Sequence, residues 1–139
     1  MITIGEAIKI HNILIERFGG TPGLRDKNLL ESALLRPYQT FDKIELYGTP
    51  IEKAAAILES IVINHPFIDG NKRFGYVAMR LLLLEADLDI IANEADKYDF
   101  VIGVARGELK FKEICNWIEK NKKRSTDLQK WSAYYWFEL

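Results

Sequence analysis

The 139-residue sequence predicts an all-α protein, a compact bundle of about six helices with one short loop or hairpin. Apolar residues recur at helical spacing along most of the chain, which is the main sequence signal of amphipathic helices. The periodic segments are bounded by residues that typically begin or end helices. Residues 37–48 break this pattern, and the length suits a single domain with one hydrophobic core.

Two helices at the start of the chain are marked by capping residues. Thr3 and Glu6 form a capping-box pattern at the first helix, and the glycine pair at 19–20 ends it. Asp26 can cap a second helix. This second helix ends before Pro37, because the residue that precedes a proline disfavours helical backbone angles.

Two central helices follow the second one. Residues 37–48, PYQTFDKIELYG, carry aromatic and β-branched side chains without helical spacing, so they predict a loop or a short hairpin. Thr49 is a suitable N-cap for the third helix, and Pro50 suits its first position. The third helix is apolar around much of its circumference, and the fourth, from about Asn71 to Ala86, is also largely apolar. Both are therefore expected in the middle of the bundle.

The last two helices and the C-terminal segment complete the prediction. Asn93 or Asp96 can cap a fifth helix, and a sixth dissolves in the basic run at 120–124. The domain is therefore predicted at residues 1–124, followed by an aromatic-rich tail at 125–139. We expect the tail to pack back onto the domain, although an exposed aromatic patch would instead mark a surface for a partner.

Composition and charge argue against several classes of protein. Nineteen basic residues oppose twenty acidic ones, so the chain lacks the basic excess typical of nucleic-acid binders. The single cysteine, Cys115, excludes an internal disulfide and a Cys-rich metal site, and its apolar surroundings predict a core thiol. No apolar run is long enough for a membrane span, and the N-terminus lacks the pattern of a signal peptide. We therefore expect a cytoplasmic protein without direct contact to nucleic acid or membrane.

Residues 65–73, HPFIDGNKR, place an anion cradle between the two central helices. Asn71, Lys72 and Arg73 open the fourth helix, where unpaired backbone N–H groups and the helix dipole attract anions. Lys72 and Arg73 add two positive charges at the same end. Gly70 allows the backbone to approach a ligand closely or to take a positive φ. The pattern favours phosphate binding.

The same segment also supplies a base and a metal ligand. Asp69 offers a carboxylate beside the cradle, and Mg²⁺ typically takes one or two carboxylates together with phosphate oxygens. His65 supplies an imidazole base, and Phe67 is better explained as a hydrophobic pin of the loop than as a substrate contact. Together they match the groups needed for phosphoryl or nucleotidyl transfer. Each residue alone also fits a helix cap, a turn or a solvated basic face.

Two further polar residues lie on the faces of predicted helices. His11 belongs to the apolar stripe of the first helix and is predicted to be a hydrogen-bonded core residue. Arg80 follows Arg73 by seven positions, on the same helical face. We predict that Arg80 forms a buried ion pair rather than joining the site.

The nine-residue segment resembles the signature of the Fic/Doc (Fido) family, His-x-Phe-x-(Asp/Glu)-(Gly/Ala)-Asn-x-Arg, and every fixed position is filled. Further stretches are similar to the N-terminal half and the final helices of death-on-curing (Doc) toxins: residues 16–20, 23–26, 30–34, 36–37, 105–109 and 117–118. The resemblance covers roughly residues 1–121 and does not extend to the aromatic tail. It implies a Fido-type helical bundle.

One position indicates the branch of the family. Members that transfer AMP usually carry glycine between the Asn and the Arg of the signature, whereas Doc toxins carry lysine, as this sequence does at Lys72. The resemblance therefore implies a Doc-like protein kinase that passes the γ-phosphate of ATP to a Ser or Thr hydroxyl of a translation factor. In the family that target is elongation factor Tu. Such an enzyme uses ATP and Mg²⁺ and inhibits translation and growth.

The resemblance also implies roles for individual residues. His65 would be the general base and Asp69 would hold Mg²⁺. Four residues would bind the phosphates of ATP: Gly70, Asn71, Lys72 and Arg73. Residues 37–48 take the place of the family's flap, which would dock the target by strand addition through Phe41, Ile44 and Leu46.

Inhibition by a segment of the same chain is not expected. No serine or threonine is followed four positions later by glutamate, so the inhibitory (Ser/Thr)-x-x-x-Glu-(Gly/Asn) helix of many Fic proteins is absent. Restraint would then come from a separate chain, a Phd-type antitoxin, which implies a type II toxin–antitoxin module. Two alternatives stay open: a Fic-type protein adenylyltransferase that tolerates Lys72, and an inactive module that only binds an antitoxin.

Overall fold

The computed structural model describes residues 1–125 as a mostly α-helical fold. Within this range its six α-helices are α1 (Ile4–Phe18), α2 (Lys27–Leu35), α3 (Pro50–Asn64), α4 (Asn71–Glu85), α5 (Glu94–Ala105) and α6 (Phe111–Asn121). Two small antiparallel sheets pair β1 (Thr40–Phe41) with β2 (Ile44–Glu45) and β3 (Leu88–Ile90) with β4 (Lys122–Arg124). The predicted class, a bundle of about six helices, is confirmed. The aromatic part of the predicted tail lies outside the described residues.

Helix starts follow the predicted capping residues. In four helices the cap side chain accepts a hydrogen bond from a backbone N–H of the first turn, at Thr3, Asp26, Thr49 and Asn93. Of the two candidates for α5, Asn93 is therefore the cap. At the other end of α1, Gly19 takes a φ of 87° and donates its N–H to the carbonyl of Ile15.

Helices α3 and α4 form the centre of the bundle. They make the most extensive helix pairing of the described residues, and α2, α5 and α6 pack around α3 while α1 packs on α4. Gly75 permits the close approach of the central pair, because a Cβ at this position would lie 2.8 Å from Cγ2 of Val62. The segment at 65–73 begins directly after α3 and includes the first three residues of α4, so it connects the two most buried helices.

The aperiodic stretch forms a short hairpin, as predicted. It follows a 3₁₀ turn at Arg36–Tyr38 and consists of β1 and β2. The connecting residues Asp42 and Lys43 have φ values of 50° and 66°, which suit the two-residue turn of a tight hairpin. An ion pair of 3.1 Å between Lys53 of α3 and Glu45 of β2 holds the hairpin against the bundle.

The second sheet was not predicted, and it differs from the expectation for the end of the last helix. The basic run at 120–124 was expected to be the frayed end of the last helix, but Lys122–Arg124 form β4 and pair with β3. Strands of three residues are too short to display an alternating pattern in the sequence. Arg80 of α4 makes a bidentate ion pair with Asp89 of β3, with both contacts at 2.9 Å, so its predicted buried ion pair is confirmed.

Two expectations from composition can be compared with the fold. Cys115 lies half-buried and packs against the core rather than within it. Burial raises the pKa of the Cys115 thiol to about 11, so the thiol is protonated at neutral pH. Within residues 1–125, none of the helices is long and apolar enough to cross a membrane.

Candidate active site

The loop at 65–73 leaves α3 and enters α4 through two left-handed residues. His65 has a φ of 51° and Gly70 a φ of 73°. Glycine adopts this conformation without strain, and histidine is among the residues that tolerate it best. As a result the side chains of His65, Asp69 and Lys72 are all exposed on the same short segment.

Phe67 holds this loop to the core. Its side chain is 1% exposed and its ring stacks on His11, with centroids 3.7 Å apart. Nε2 of His11 lies 2.7 Å from the carbonyl oxygen of Asp69, and since a carbonyl accepts, Nε2 carries the proton. Burial lowers the pKa of His11, so the ring is neutral at pH 7. The prediction of a hydrogen-bonded core histidine is confirmed, and its partner is the backbone of the loop.

Asn71 braces the loop from the other side. Its Oδ1 accepts from the backbone N–H of Phe67 and its Nδ2 donates to the Phe67 carbonyl, both at 2.9 Å. The side chain is buried, and both of its polar atoms are engaged by Phe67, while the predicted phosphate contact of Asn71 stays a prediction. The backbone N–H of Asn71 stands at the first position of α4, where helix N–H groups lack intrahelical partners. Any phosphate contact of Asn71 therefore belongs to its main chain.

We expect Asn71→Ala to lower the free energy of unfolding by about 2–4 kcal/mol, because it leaves two buried backbone groups of Phe67 without partners. Urea unfolding measures the change. Asn64→Ala is the matched control, since that side chain is exposed, and it should stay within about 0.5 kcal/mol of the parent. Equal effects of the two substitutions would contradict the bracing role.

The connection between α1 and α2, residues 19–26, runs along the loop. Backbone N–H groups of Arg25 and Asp26 both donate to the Pro66 carbonyl. The Arg25 guanidinium donates to the carbonyls of Asn64 and His65 at 2.7 and 2.6 Å. These contacts fix the C-terminal end of α3 and the first loop residues. Sequence patterns alone gave Arg25 no role, because its partners lie about 40 positions away along the chain.

Asp69 is held at the exposed edge of the loop by two backbone donors. Its Oδ2 accepts from the N–H of Thr21 at 3.0 Å, and its Oδ1 accepts from the N–H of Gly70 at 2.8 Å. These bonds, followed by the charge of Lys72, lower the pKa of the Asp69 carboxyl, so it is ionised at neutral pH. Gly20 makes room for it, because a Cβ there would lie 2.8 Å from Oδ2.

The residues of the site fit Mg²⁺ as a partner of bound phosphate. Within residues 1–125, no group of three or more His, Cys, Asp or Glu side chains could hold a metal ion. A single exposed carboxylate beside an anion-binding helix end suits Mg²⁺, which usually keeps water and phosphate oxygens as its other ligands. Asp69 is therefore the residue that would hold this ion.

His65 has the tautomer that a general base requires. Its Nδ1 lies 3.0 Å from the carbonyl oxygen of Ile63, which can only accept a hydrogen bond. In the neutral ring, Nδ1 therefore carries the proton, and Nε2 keeps its lone pair. Because the side chain is exposed, Nε2 can receive a proton from an incoming hydroxyl group.

Arg73 is positioned by an aromatic residue that sequence patterns did not single out. The centre of its guanidinium lies 4.0 Å from the ring centroid of Phe18, the last residue of α1, in a cation–π contact. Lys72, by contrast, is exposed. In the sequence, Phe18 lies at the end of an apolar stripe and within a stretch similar to Doc toxins, and neither signal indicated this contact.

The N-terminus of α4 opens onto a cavity of about 450 Å³. Residues 69–73 line one end, and Tyr76 and five residues of α5 line the remainder: Glu94, Lys97, Tyr98, Val101 and Ile102. This volume lies within the usual range for small-molecule sites. The predicted flap residues Phe41, Ile44 and Leu46 do not line it, and they are 76%, 70% and 51% exposed. The α5 residues were not predicted as part of the site.

A sequence model of the Fic/DOC family matches residues 1–83, so the chain belongs to that family. It is 39% identical over 79 residues to Toxin Doc of Mycolicibacterium smegmatis, a match that covers 52% of this chain and 61% of that protein. It is 26% identical over 115 residues to Protein kinase doc of Escherichia phage P1, covering 83% and 90% of the two chains. These relatives place the chain in the Doc branch.

Proposed function

We propose that the chain is a Doc-like toxin of a toxin–antitoxin module and transfers the γ-phosphate of ATP to a Ser or Thr hydroxyl of a protein. The observation that carries the proposal is the loop at 65–73. It presents an exposed base with a free Nε2 at one end, and at the other an ionised carboxylate and a helix N-terminus that line a cavity of about 450 Å³, which His65 itself does not line. The names of the two relatives, a toxin and a protein kinase, support both halves of the proposal.

In the proposed reaction, Nε2 of His65 takes the proton of the acceptor hydroxyl. The hydroxyl oxygen forms a bond to the γ-phosphorus while the bond from that phosphorus to the bridging oxygen breaks, and ADP leaves with the electron pair. Backbone N–H groups of the first turn of α4, together with Lys72 and Arg73, stabilise the charge on the transferred group. Mg²⁺, held by Asp69 and the phosphates, would neutralise further phosphate charge.

Lys72 supports phosphate transfer over AMP transfer. Its side chain extends from the second position of α4, where the AMP-transferring relatives usually have only backbone. An ammonium group at this position adds a charge-assisted contact for a phosphate oxygen. By the same family resemblance, the proposed target is a translation factor, elongation factor Tu, and the proposed restraining partner is a Phd-type antitoxin.

Incubation with a target protein and either α- or γ-labelled ATP tests the proposed reaction. We expect the γ-label, and not the α-label, to appear on the target. Transfer of the α-label alone would replace the kinase with an adenylyltransferase. Binding of an antitoxin without transfer of either label would indicate an inactive binding module.

The hairpin of β1 and β2 is proposed to dock the protein target. Phe41 and Ile44 are the most exposed of its apolar side chains, and their residues face each other across the two strands. Within residues 1–125, the outer edges of this two-stranded sheet are unpaired, which suits addition of a strand from the target.

We expect Phe41→Glu to lower modification of the target about tenfold or more, because an exposed aromatic anchor of an interface carries much of its binding energy. ATP affinity should not change, since Phe41 does not line the cavity. Transfer assays and ATP titrations measure the two effects. Ile91→Glu, a change at another exposed apolar side chain outside the hairpin, serves as the control and should leave both unchanged. A parallel loss of ATP binding in Phe41→Glu would mean that the hairpin only supports the fold.

A further inference from the structure

Two residues that line the cavity each carry a buried polar atom without a hydrogen-bond partner. Among residues 1–125, three buried side-chain nitrogen or oxygen atoms make no hydrogen bond: Nε of Arg73, the hydroxyl of Tyr76 and the hydroxyl of Ser125. Two of these residues, Arg73 and Tyr76, line the cavity beside α4. They lie three positions apart, and therefore on the same face of that helix.

The Tyr76 hydroxyl has no structural task in the free protein. The residue is 0% exposed, and its ring packs in the core of the bundle. A buried hydroxyl without a partner loses its hydrogen bonds to water and gains none in return. Phenylalanine would fill the same space without that loss. Packing therefore does not explain the hydroxyl. Because Tyr76 lines the cavity, a ligand bound there would supply the missing hydrogen-bond partner.

The position of Tyr76 indicates which part of a bound nucleotide its hydroxyl would contact. The helix end that would receive the phosphates is the first turn of α4, around Asn71, whereas Tyr76 follows five residues later, roughly 7.5 Å further along the helix axis. On the opposite wall α5 contributes the apolar or aromatic residues Tyr98, Val101 and Ile102, and its two charged residues there, Glu94 and Lys97, pair with each other at 3.5 Å. Such a wall suits a nucleobase and ribose better than a phosphate chain.

We propose that the Tyr76 hydroxyl is a hydrogen-bonding contact for the nucleoside part of ATP, which the cavity between α4 and α5 holds. This inference rests on the proposed function, because it takes ATP as the substrate. Burial raises the pKa of Tyr76 well above its usual value, so the hydroxyl is present as O–H and can donate to a ring nitrogen or a ribose oxygen. Its charged surroundings are Arg80, Asp89 and Glu94.

Calorimetric titration of Tyr76→Phe with ATP and with inorganic triphosphate, both in Mg²⁺, tests the contact. We expect ATP affinity to fall about three- to tenfold, the usual effect of one lost hydrogen bond, with the affinity for triphosphate unchanged. The thermal midpoint of the ligand-free variant should equal or exceed that of the parent, because the hydroxyl lacks a partner there. Tyr38→Phe removes a hydroxyl from a residue outside the cavity and should leave every value unchanged.

Three results would overturn the inference. Equal ATP affinity of parent and Tyr76→Phe would show that the hydroxyl does not touch the nucleotide. Equal losses for ATP and triphosphate would move the contact to the phosphates, and a lower thermal midpoint would give the hydroxyl a structural role. Failure of the parent itself to bind ATP would instead reject the proposed function, and the inference with it.

Discussion

His65→Asn is expected to lower phosphate transfer by about 10²–10⁴-fold, the usual contribution of a general base. Asparagine suits the position because it tolerates the left-handed conformation that His65 adopts, with a φ of 51°. Its side-chain amide can also donate to the Ile63 carbonyl, as Nδ1 of the histidine does. The substitution thus removes the free Nε2 and keeps the local hydrogen bond.

The control measurements for this variant are ATP binding and thermal unfolding, which should both match the parent. His65→Ala should lose as much activity and also some stability, because alanine is less favourable in a left-handed conformation. Transfer at the parental rate by a folded His65→Asn protein would remove His65 from the mechanism.

Local signals in the sequence explain why the helices could be predicted. Capping depends on one side chain and the backbone of the following turn, so Thr3, Asp26 and Thr49 could be identified from neighbouring residues alone. The two buried central helices were evident from their apolar circumference. The sheet of β3 and β4 could not be found in this way, since its strands have three residues each and pair across more than 30 positions.

In the site too, residues that are neighbours in the sequence could be predicted, whereas contacts between distant residues could not. The residues at 65–73 form one continuous segment, so their chemistry was visible as a motif. Their supports come from other elements: His11 and Phe18 from α1, and Arg25 from the α1–α2 connection. The wall of the cavity from α5 depends on how two helices pack. The apolar stripe of α1 predicted that His11 and Phe18 face the core, but which loop residues they contact follows only from the fold.

Asn71 shows how a motif can be recognised in the sequence while one role of a member becomes visible only in the fold. An amide at the start of a helix next to two cations suggests a phosphate contact. In the fold, its two polar atoms match the N–H and C=O of Phe67, and the side chain is buried. The amide therefore shapes the loop on which His65 and Asp69 are displayed.

Asp69→Asn is expected to lower transfer at least about 100-fold at a fixed, moderate Mg²⁺ concentration. Loss of a residue that only supports a metal ligand already lowers metal affinity or activity up to about 100-fold, and Asp69 would be the ligand itself. Asparagine keeps the shape of the side chain but discards the negative charge that Mg²⁺ requires. The amide also has only one acceptor oxygen, whereas both carboxylate oxygens of Asp69 receive backbone N–H groups, from Thr21 and Gly70.

A Mg²⁺ titration of transfer activity separates the two consequences of this substitution. If weaker metal binding dominates, the Mg²⁺ concentration at half-maximal activity rises in Asp69→Asn, and excess Mg²⁺ restores part of the rate. If damage to the loop dominates, the rate stays low at every Mg²⁺ concentration. Glu94→Gln removes a carboxylate that lines the same cavity. The midpoint of its Mg²⁺ titration, the concentration at half-maximal activity, should match that of the parent. A parental midpoint in Asp69→Asn would mean that the metal is held by other residues.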